Sequence, residues 1–234
     1  METVIKLASH SRCTGCAACS DVCPTNSISF VEEGIHSFPS INKETCISCG
    51  KCMNACQVLK PLNIQPQIEQ KFYCAWNNNL TDRRASTSGG AGSAMANDAK
   101  EKGYYVCGAG FDQQWHLRHI SSQKQSDIDS FRGSKYLKSD TYGSLKEVAQ
   151  LIDRGEKVLF TGTPCQCDAV ERVVPQSRRD NLITCAIICH GVNSSKVWED
   201  YVKLLETNEN AKLIEYNFRS KSKGWGQDKG GGES

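Results

Sequence analysis

Eight of the fourteen cysteines fall into two copies of one pattern, C-x2-C-x2-C-x3-C, at 13, 16, 19 and 23 and again at 46, 49, 52 and 56. Each cysteine of the second copy stands 33 residues after its counterpart (46 − 13, 49 − 16, 52 − 19, 56 − 23). Any fold of this chain must gather three thiols of each tight loop around one point. Zinc sites use two cysteine pairs split by a longer spacer. Disulfide scaffolds are ordinarily short exported chains. Three cysteines at successive intervals of three, followed by a fourth, form the ligand run of a cubane iron–sulfur cluster, and the fourth ligates the other cluster of a pair.

The geometry behind that exchange is simple. Three thiolates on one loop cap three irons of a cubane, while the fourth, after a short helical turn, points away from its own loop. One 4Fe-4S cluster is therefore expected on Cys13, Cys16, Cys19 and Cys56, and the other on Cys46, Cys49, Cys52 and Cys23. Gly15 and Gly50 ease the tight backbone and leave amides to donate to cluster sulfur. Pro24 turns the chain out of the first motif. Gln57 stands where the second proline would be, which alters the turn and not the ligand set. Residues 1–62 resemble the two-cluster bacterial ferredoxins, with SISFV and GIHSFPSI reading as a hairpin around Glu32-Glu33-Gly34. Residues 63–72, with two prolines nearby, read as a linker.

The 234 residues suit a small domain followed by a larger one. Lys+Arg number 28 and Asp+Glu 26, so no basic excess marks a nucleic-acid partner. No run approaches the roughly 20 apolar residues of a membrane span, and METVIKLASHSRC lacks a secretory signal. A cytoplasmic protein is expected.

After about residue 70, strands and helices alternate. YYVCGA (104–109), WHLRHI (115–120), KVLFTG (157–162), NLITCAIIC (181–189) and KLIEYNFRS (212–220) read as strands. GSLKEVAQLIDRG (143–155) reads as a helix with a Ser144–Glu147 capping box and Gly155 at its end. TPCQCDAVERV begins with Thr163 as cap, Pro164 at the first helical position and Gln166 completing a second box. SSKVWEDYVKLLETN (194–208) is a third helix. The expected class is an α+β ferredoxin-like two-cluster N-terminal domain followed by a larger α/β domain, residues 73–234, with a mostly parallel or mixed sheet. TGTPCQC places a helix N-terminus directly after a strand, where free amides and the helix dipole suit a phosphate or an anionic flavin edge; a well-capped structural helix is the alternative. ASTSGGAGSAM (85–95) is a small-residue loop that lets a ligand approach the backbone, or an ordinary loop.

In order along the chain, STSGG (86–90), GSKYLKS (133–139), TGTPCQ (161–166), CHGV (189–192) with Trp198 after it, and FRSKSKGW (218–225) resemble the β subunits of coenzyme F420 hydrogenases and dehydrogenases. That family includes bacterial proteins with an N-terminal two-cluster ferredoxin region and the plant hydroxymethyl-chlorophyll reductases. The resemblance implies bound FAD and electron transfer between clusters, flavin and an unidentified substrate, such as a deazaflavin or other small molecule. It also implies that Ser86, Thr87, Ser88, Gly89 and Gly90 form a loop against the flavin. Thr161, Gly162, Thr163, Pro164, Cys165 and Gln166 form the turn and helix start beside its ring or phosphates. Lys135 is a candidate to neutralise flavin phosphate or the reduced ring, with a surface lysine as the alternative. His190 and Cys165 are candidate catalytic residues; Arg219 and Lys221 are candidates to bind an anionic substrate. Relatives of this type continue well past the FR-x-K-x-x-GW segment, so the flavin domain is expected to be incomplete at its C-terminus.

Outside the cluster motifs, Cys107 and Cys185 sit in apolar strand patterns and are expected to pack as small hydrophobes. Cys165 and Cys167, near a helix N-terminus, are expected to have lowered pKa values, which leaves a redox or ligand role open; a third cluster is a lesser alternative, since the spacing of these residues follows no cluster motif. A flavin converts between the single electrons of clusters and the pairs that organic substrates take. The chain thus reads as an iron–sulfur flavoprotein oxidoreductase, or a subunit of one, serving a small-molecule donor or acceptor or a redox partner protein. The alternative is a non-catalytic ferredoxin-type module docking on a larger partner.

Overall fold

A computed structural model describes residues 5–61, 69–220 and the backbone of 231–233. Most of the expected linker, along with Lys221 and Trp225, lies outside the described residues. In chain order the elements are α1 (Ala18–Asp21), β1 (Ile28–Glu33), β2 (His36–Ile41), α2 (Lys51–Ala55), α3 (Leu80–Ala85), α4 (Ala91–Glu101), β3 (Tyr105–Phe111) and β4 (Leu117–Ser122). They continue with α5 (Gln125–Ser130), α6 (Ser144–Asp153), β5 (Val158–Gly162), α7 (Pro164–Val173), β6 (Leu182–Ala186), α8 (Ser195–Glu209), β7 (Glu215–Asn217) and β8 (Gly231–Glu233).

The central sheet has the order β4-β3-β5-β6. It is mixed: β3 pairs antiparallel with β4 and parallel with β5, and β5 pairs parallel with β6. Alternation along β5 explains why both faces need cover. Val158 and Phe160 face α6 and α7, packing with Leu145, Val148, Ile152 and Val170. Leu159 faces the other way, with Val106, Ala96, Ala99 and Ile128 from β3, α4 and α5. Burying each such side chain contributes about 1.5–3 kcal/mol.

The cysteine-rich segment packs into this same core. Ala18 of α1 and Ala55 of α2 join Leu145, Phe160 and Val170 in one apolar cluster. Its β1–β2 hairpin pairs Ile28 with Ile41 through Glu33 with His36, turning at Gly34 with φ 65°.

Three local expectations differ. α6 carries no Ser144–Glu147 capping box, because its cap position is Gly143, at φ 81°. Ser144 Oγ instead donates inward to the His119 carbonyl (2.8 Å). The cap comes from Asp21, whose carboxylate accepts from Gly143 N–H (2.9 Å) and Lys146 N–H (3.0 Å). β4 begins at Leu117 and not at Trp115, since the Asp112 carboxylate accepts from the N–H groups of Gln114 and His116 (2.9 Å each) and closes a turn there. β6 stops at Ala186, and Ile187 and Ile188 are exposed. By contrast, the Thr163–Gln166 capping box and Pro164 at the start of α7 are present. Among the described residues no helix is long and apolar enough to cross a membrane.

Candidate iron–sulfur sites and adjoining cavities

The 33-residue repeat is written in the backbone as well as in the cysteines. Gly15 and Ser48 occupy matching positions with φ 63° and 54°, as do Ala17 and Gly50 with φ 63° and 76°. Ser48 and Ala17 adopt the left-handed region without being glycine, at a cost of roughly 1 kcal/mol each. Each loop then enters a one-turn helix, α1 or α2, that carries its fourth cysteine away.

Two small cavities result. One is lined by Cys13, Cys16 and Cys19 together with Cys56, and walled by Leu7, Phe30, Pro39 and Val58. The other is lined by Cys46, Cys49 and Cys52 together with Cys23, and walled by Ile5, Ile28 and Ile41. In each, three thiols come from one loop and the fourth from the other. No three His, Cys, Asp or Glu side chains among the described residues close to single-ion coordination; a cubane spaces its thiolates farther apart than one zinc ion does. Four sulfur donors, apolar walls and the amides of tight left-handed turns fit a 4Fe-4S cluster in each cavity.

The electrostatics match that donor set. Burial, then repulsion from Cys16, Cys13 and Cys56, pushes the Cys19 thiol up to about 12. Burial also raises Cys13, against the Gly15 N–H and the Lys138 ammonium, which pull it down. Thiols held this close stay deprotonated only beside concentrated positive charge, which iron supplies. Cys23 differs. Burial acts to raise it, but hydrogen bonds from Thr25 and Ser27 outweigh that effect and lower it; Ser27 N–H lies 3.3 Å from its sulfur.

The residues expected around a flavin divide between two places. Ser86, Thr87 and Lys135 line a cavity of about 590 Å³ with Arg84, Arg132 and Arg219, and with Phe111, Trp115 and Tyr216 as flat walls. Thr87 Oγ1 accepts from Ser134 N–H (2.7 Å). Lys135 donates to the carbonyls of Ser130 (2.9 Å) and Arg132 (2.8 Å), and burial lowers it to about 8. Arg132 is balanced by Asp82 (2.8 Å) and Asp129. Gly89 and Gly90 serve the chain itself: a Cβ at Gly89 would stand 3.1 Å from the Ala75 carbonyl, and one at Gly90 3.0 Å from Asn77 Cβ.

Thr161 to Gln166 do not line that cavity, and Cys165 lies instead near the first cysteine loop. Gln57 Nε2 donates both to the Cys165 carbonyl (3.1 Å) and to Thr14 Oγ1 (3.2 Å). The residue that replaces the second proline thus ties the cluster segment to the start of α7. The thiols there are not lowered as expected. Burial raises Cys165, and burial followed by repulsion from Cys185 pushes Cys167 up to about 12. Desolvation is the largest influence at both. Cys107 is fully buried with its thiol at about 12, and Cys185 packs at the edge of the α4–α5 core. Cys189 and His190 are exposed after the end of β6.

A second cavity, of about 450 Å³, opens between the two regions and is lined by Gly15, Phe30, Trp115, Arg118, Lys138 and Trp198. Trp115 lines both large cavities. Its indole N–H donates to the Leu213 carbonyl (3.2 Å), while its own carbonyl accepts from Trp198 Nε1 (2.9 Å). Neither Trp115 nor Lys138 stood out in the sequence; the only pointer to Lys138 was its place in GSKYLKS.

Residues 12–59 match a 4Fe-4S dicluster domain, and residues 155–233 match the C-terminal region of the coenzyme F420 hydrogenase/dehydrogenase β subunits. STSGG and GSKYLKS lie outside both matched stretches. The chain is 23% identical over 223 residues to one subunit of the F420H2 dehydrogenase of Methanosarcina mazei, covering 86% of this chain and 61% of that protein. It is 27% identical over 199 residues to an uncharacterized protein of Methanocaldococcus jannaschii, covering 70% of this chain and 53% of that protein. A chain of the F420-reducing [NiFe] hydrogenase complex from Methanosarcina barkeri aligns with a TM-score of 0.45 and 24% identity, over 60% of this chain and 52% of that one. This chain therefore spans little more than half the length of these relatives. The two matches place a 4Fe-4S dicluster domain ahead of a C-terminal region of the coenzyme F420 hydrogenase/dehydrogenase β-subunit type in one chain.

Proposed function

We propose that this chain is an iron–sulfur flavoprotein oxidoreductase subunit that moves electrons between two 4Fe-4S clusters, FAD and a substrate or redox partner. The observation that carries the reading is the pair of cavities, each lined by three cysteines of one loop and the fourth cysteine of the other, the first of them packed against the α/β core. When bound, clusters pass single electrons and a flavin exchanges one or two. Cys13, Cys16, Cys19 and Cys56 would hold one cluster, and Cys46, Cys49, Cys52 and Cys23 the other. In this reading residues 1–62 supply the dicluster unit and residues 73–234 the flavin-binding unit.

The cavity at Ser86, Thr87 and Lys135 has the size of a cofactor site. Arg84, Lys135 and Arg219 offer cationic donors for a diphosphate, and Trp115 and Tyr216 offer faces for a ring system. Thr161 to Gln166 enter at the cluster end of the path. The Methanosarcina mazei relative is named as a component of an F420H2 dehydrogenase, which supports a protein redox partner and a deazaflavin or similar small molecule as substrate. Anaerobic reconstitution of the full chain, followed by iron, sulfide and flavin analysis, tests the reading. About eight irons and one FAD per chain are expected; eight irons without flavin would leave an electron-transfer module and remove the enzyme.

A further inference from the structure

We infer that Lys138 is the cation that raises the reduction potential of the first cluster, on the side that faces the 450 Å³ cavity. The inference rests on the dicluster reading above for the presence of that cluster and on the geometry around Lys138 for everything else.

Lys138 sits on a strap held from both sides. Leu137 bridges to Asn193 in parallel register, and Lys138 N–H donates to the Asn193 carbonyl (3.0 Å). Buried Ser139 accepts from Gln166 Nε2 at its hydroxyl (2.9 Å) and its carbonyl (3.3 Å). Asp140 N–H donates to the Leu117 carbonyl (2.8 Å), and the Asp140 carbonyl accepts from His119 N–H (2.9 Å). One residue further on, Thr141 Oγ1 donates to the carbonyl of Cys16, a cluster cysteine (3.0 Å).

The strap sets the lysine against the first cysteine loop. A Cβ on Gly15 would fall 1.9 Å from Lys138 Nζ, so the amine fills the space a side chain would take between Cys13 and Cys16. Glycine also suits the φ of +63° there, a conformation that Ser48, its counterpart in the second loop, adopts only with strain. The ammonium lies 5.9 Å from the centroid of the Phe30 ring. Among the described residues it forms no ion pair and no hydrogen bond, so no carboxylate offsets its charge at contact distance. At the other cavity Lys51 is exposed and screened by water.

Adding an electron makes a thiolate-ligated cluster more negative by one charge. A cation fixed beside it in partly apolar surroundings therefore stabilises the reduced form more than the oxidised one and raises the potential. The step is a single electron gained from the titrant, with no bond made or broken.

The test is a mediated potentiometric titration with dithionite, followed by electron paramagnetic resonance, on the full chain reconstituted with both clusters. The first cluster's signal is assigned as the one altered by Cys16→Ser. Lys138→Met keeps the length and removes the charge. It is expected to lower that cluster's reduction equilibrium constant roughly tenfold, about 59 mV for a one-electron couple, and to leave the second cluster unmoved. Lys138→Arg keeps the charge and is expected to keep the wild-type potential. An unchanged first cluster in Lys138→Met, an equal shift in both clusters, or an arginine variant that falls as far as the methionine one overturns the inference. If Lys138→Met loses iron, Lys138→Gln takes its place in the comparison. Wild-type protein that binds only one cluster would overturn the dicluster reading itself, before any titration of variants.

Discussion

The Asp21 carboxylate accepts the backbone N–H of Gly143 at 2.9 Å, and that of Lys146 at 3.0 Å, so a residue between two cluster cysteines caps a helix of the α/β core. Helix α6 has no side-chain cap of its own. Burial raises the Asp21 carboxyl, and the amides of Gly143 and Lys146 pull it back, so desolvation offsets part of what the two charge-assisted bonds contribute. Asp21→Ala is expected to cost about 1–2 kcal/mol, read as a lower denaturation midpoint. Asp21→Asn, which keeps one acceptor, is expected to lose less. Equal midpoints for wild type and Asp21→Ala would show that the cap contributes nothing.

Cys23 and Cys56 provide a pair of reciprocal tests. Cys56 lines the first-loop cavity and Cys23 the second. Cys23→Ser is therefore expected to perturb the same cluster signal as Cys49→Ser, and Cys56→Ser the same signal as Cys16→Ser. Electron paramagnetic resonance of the reduced variants reads the pairing. Damage from Cys23→Ser confined to the signal altered by Cys16→Ser would mean that each loop keeps its own fourth ligand.

What was legible in the sequence was whatever neighbouring residues decide. The capping box of α7 could be read because Thr163, Pro164 and Gln166 settle it among themselves. The start of α6 could not, because its cap lies 122 residues away at Asp21. Trp115 looked like part of a strand, yet Asp112 closes a turn that holds it at φ 64° and leaves it on the wall of two cavities. Lys135 and Lys138 are alike in sequence. Only the strap between Asn193 and Gln166 shows that one caps the carbonyls after α5 while the other reaches the first cysteine loop.

His119 is expected to make folding sensitive to mild acid. Its Nε2 lies 3.0 Å from the Thr161 carbonyl and must carry the proton there, while Nδ1 is buried without a hydrogen-bond partner among the described residues. Burial lowers its pKa to about 4. Above the ordinary histidine value of about 6.5 the ring is neutral in both folded and unfolded chains, and the shift has no effect on stability. As pH falls from there toward 4, only the unfolded chain gains the proton, so stability is lost. Between pH 7.5 and 5.5 this amounts to roughly 1 kcal/mol. Urea midpoints of wild type are expected to fall across that range more steeply than those of His119→Phe, which keeps the stacking on Phe160 and removes the titration. Parallel pH profiles would assign the acid sensitivity to other groups.

Lys135 offers a test of the proposed flavin site that does not depend on turnover. Its ammonium is held by the Ser130 and Arg132 carbonyls on the wall of the 590 Å³ cavity, with its pKa lowered to about 8 by burial. A bound diphosphate favours the charged form, so the charge that aids binding is present below that pKa and is lost as pH rises through it. FAD affinity, followed by quenching of flavin fluorescence, is therefore expected to weaken above about pH 8 in wild type. Lys135→Met is expected to bind roughly tenfold more weakly at pH 7 and to show little further change with pH, because no ammonium remains to titrate. Lys135→Arg stays charged throughout, and its affinity is expected to hold steady across the same range. Wild-type affinity that is flat from pH 7 to 9 and unchanged in Lys135→Met would place the flavin phosphates away from this wall.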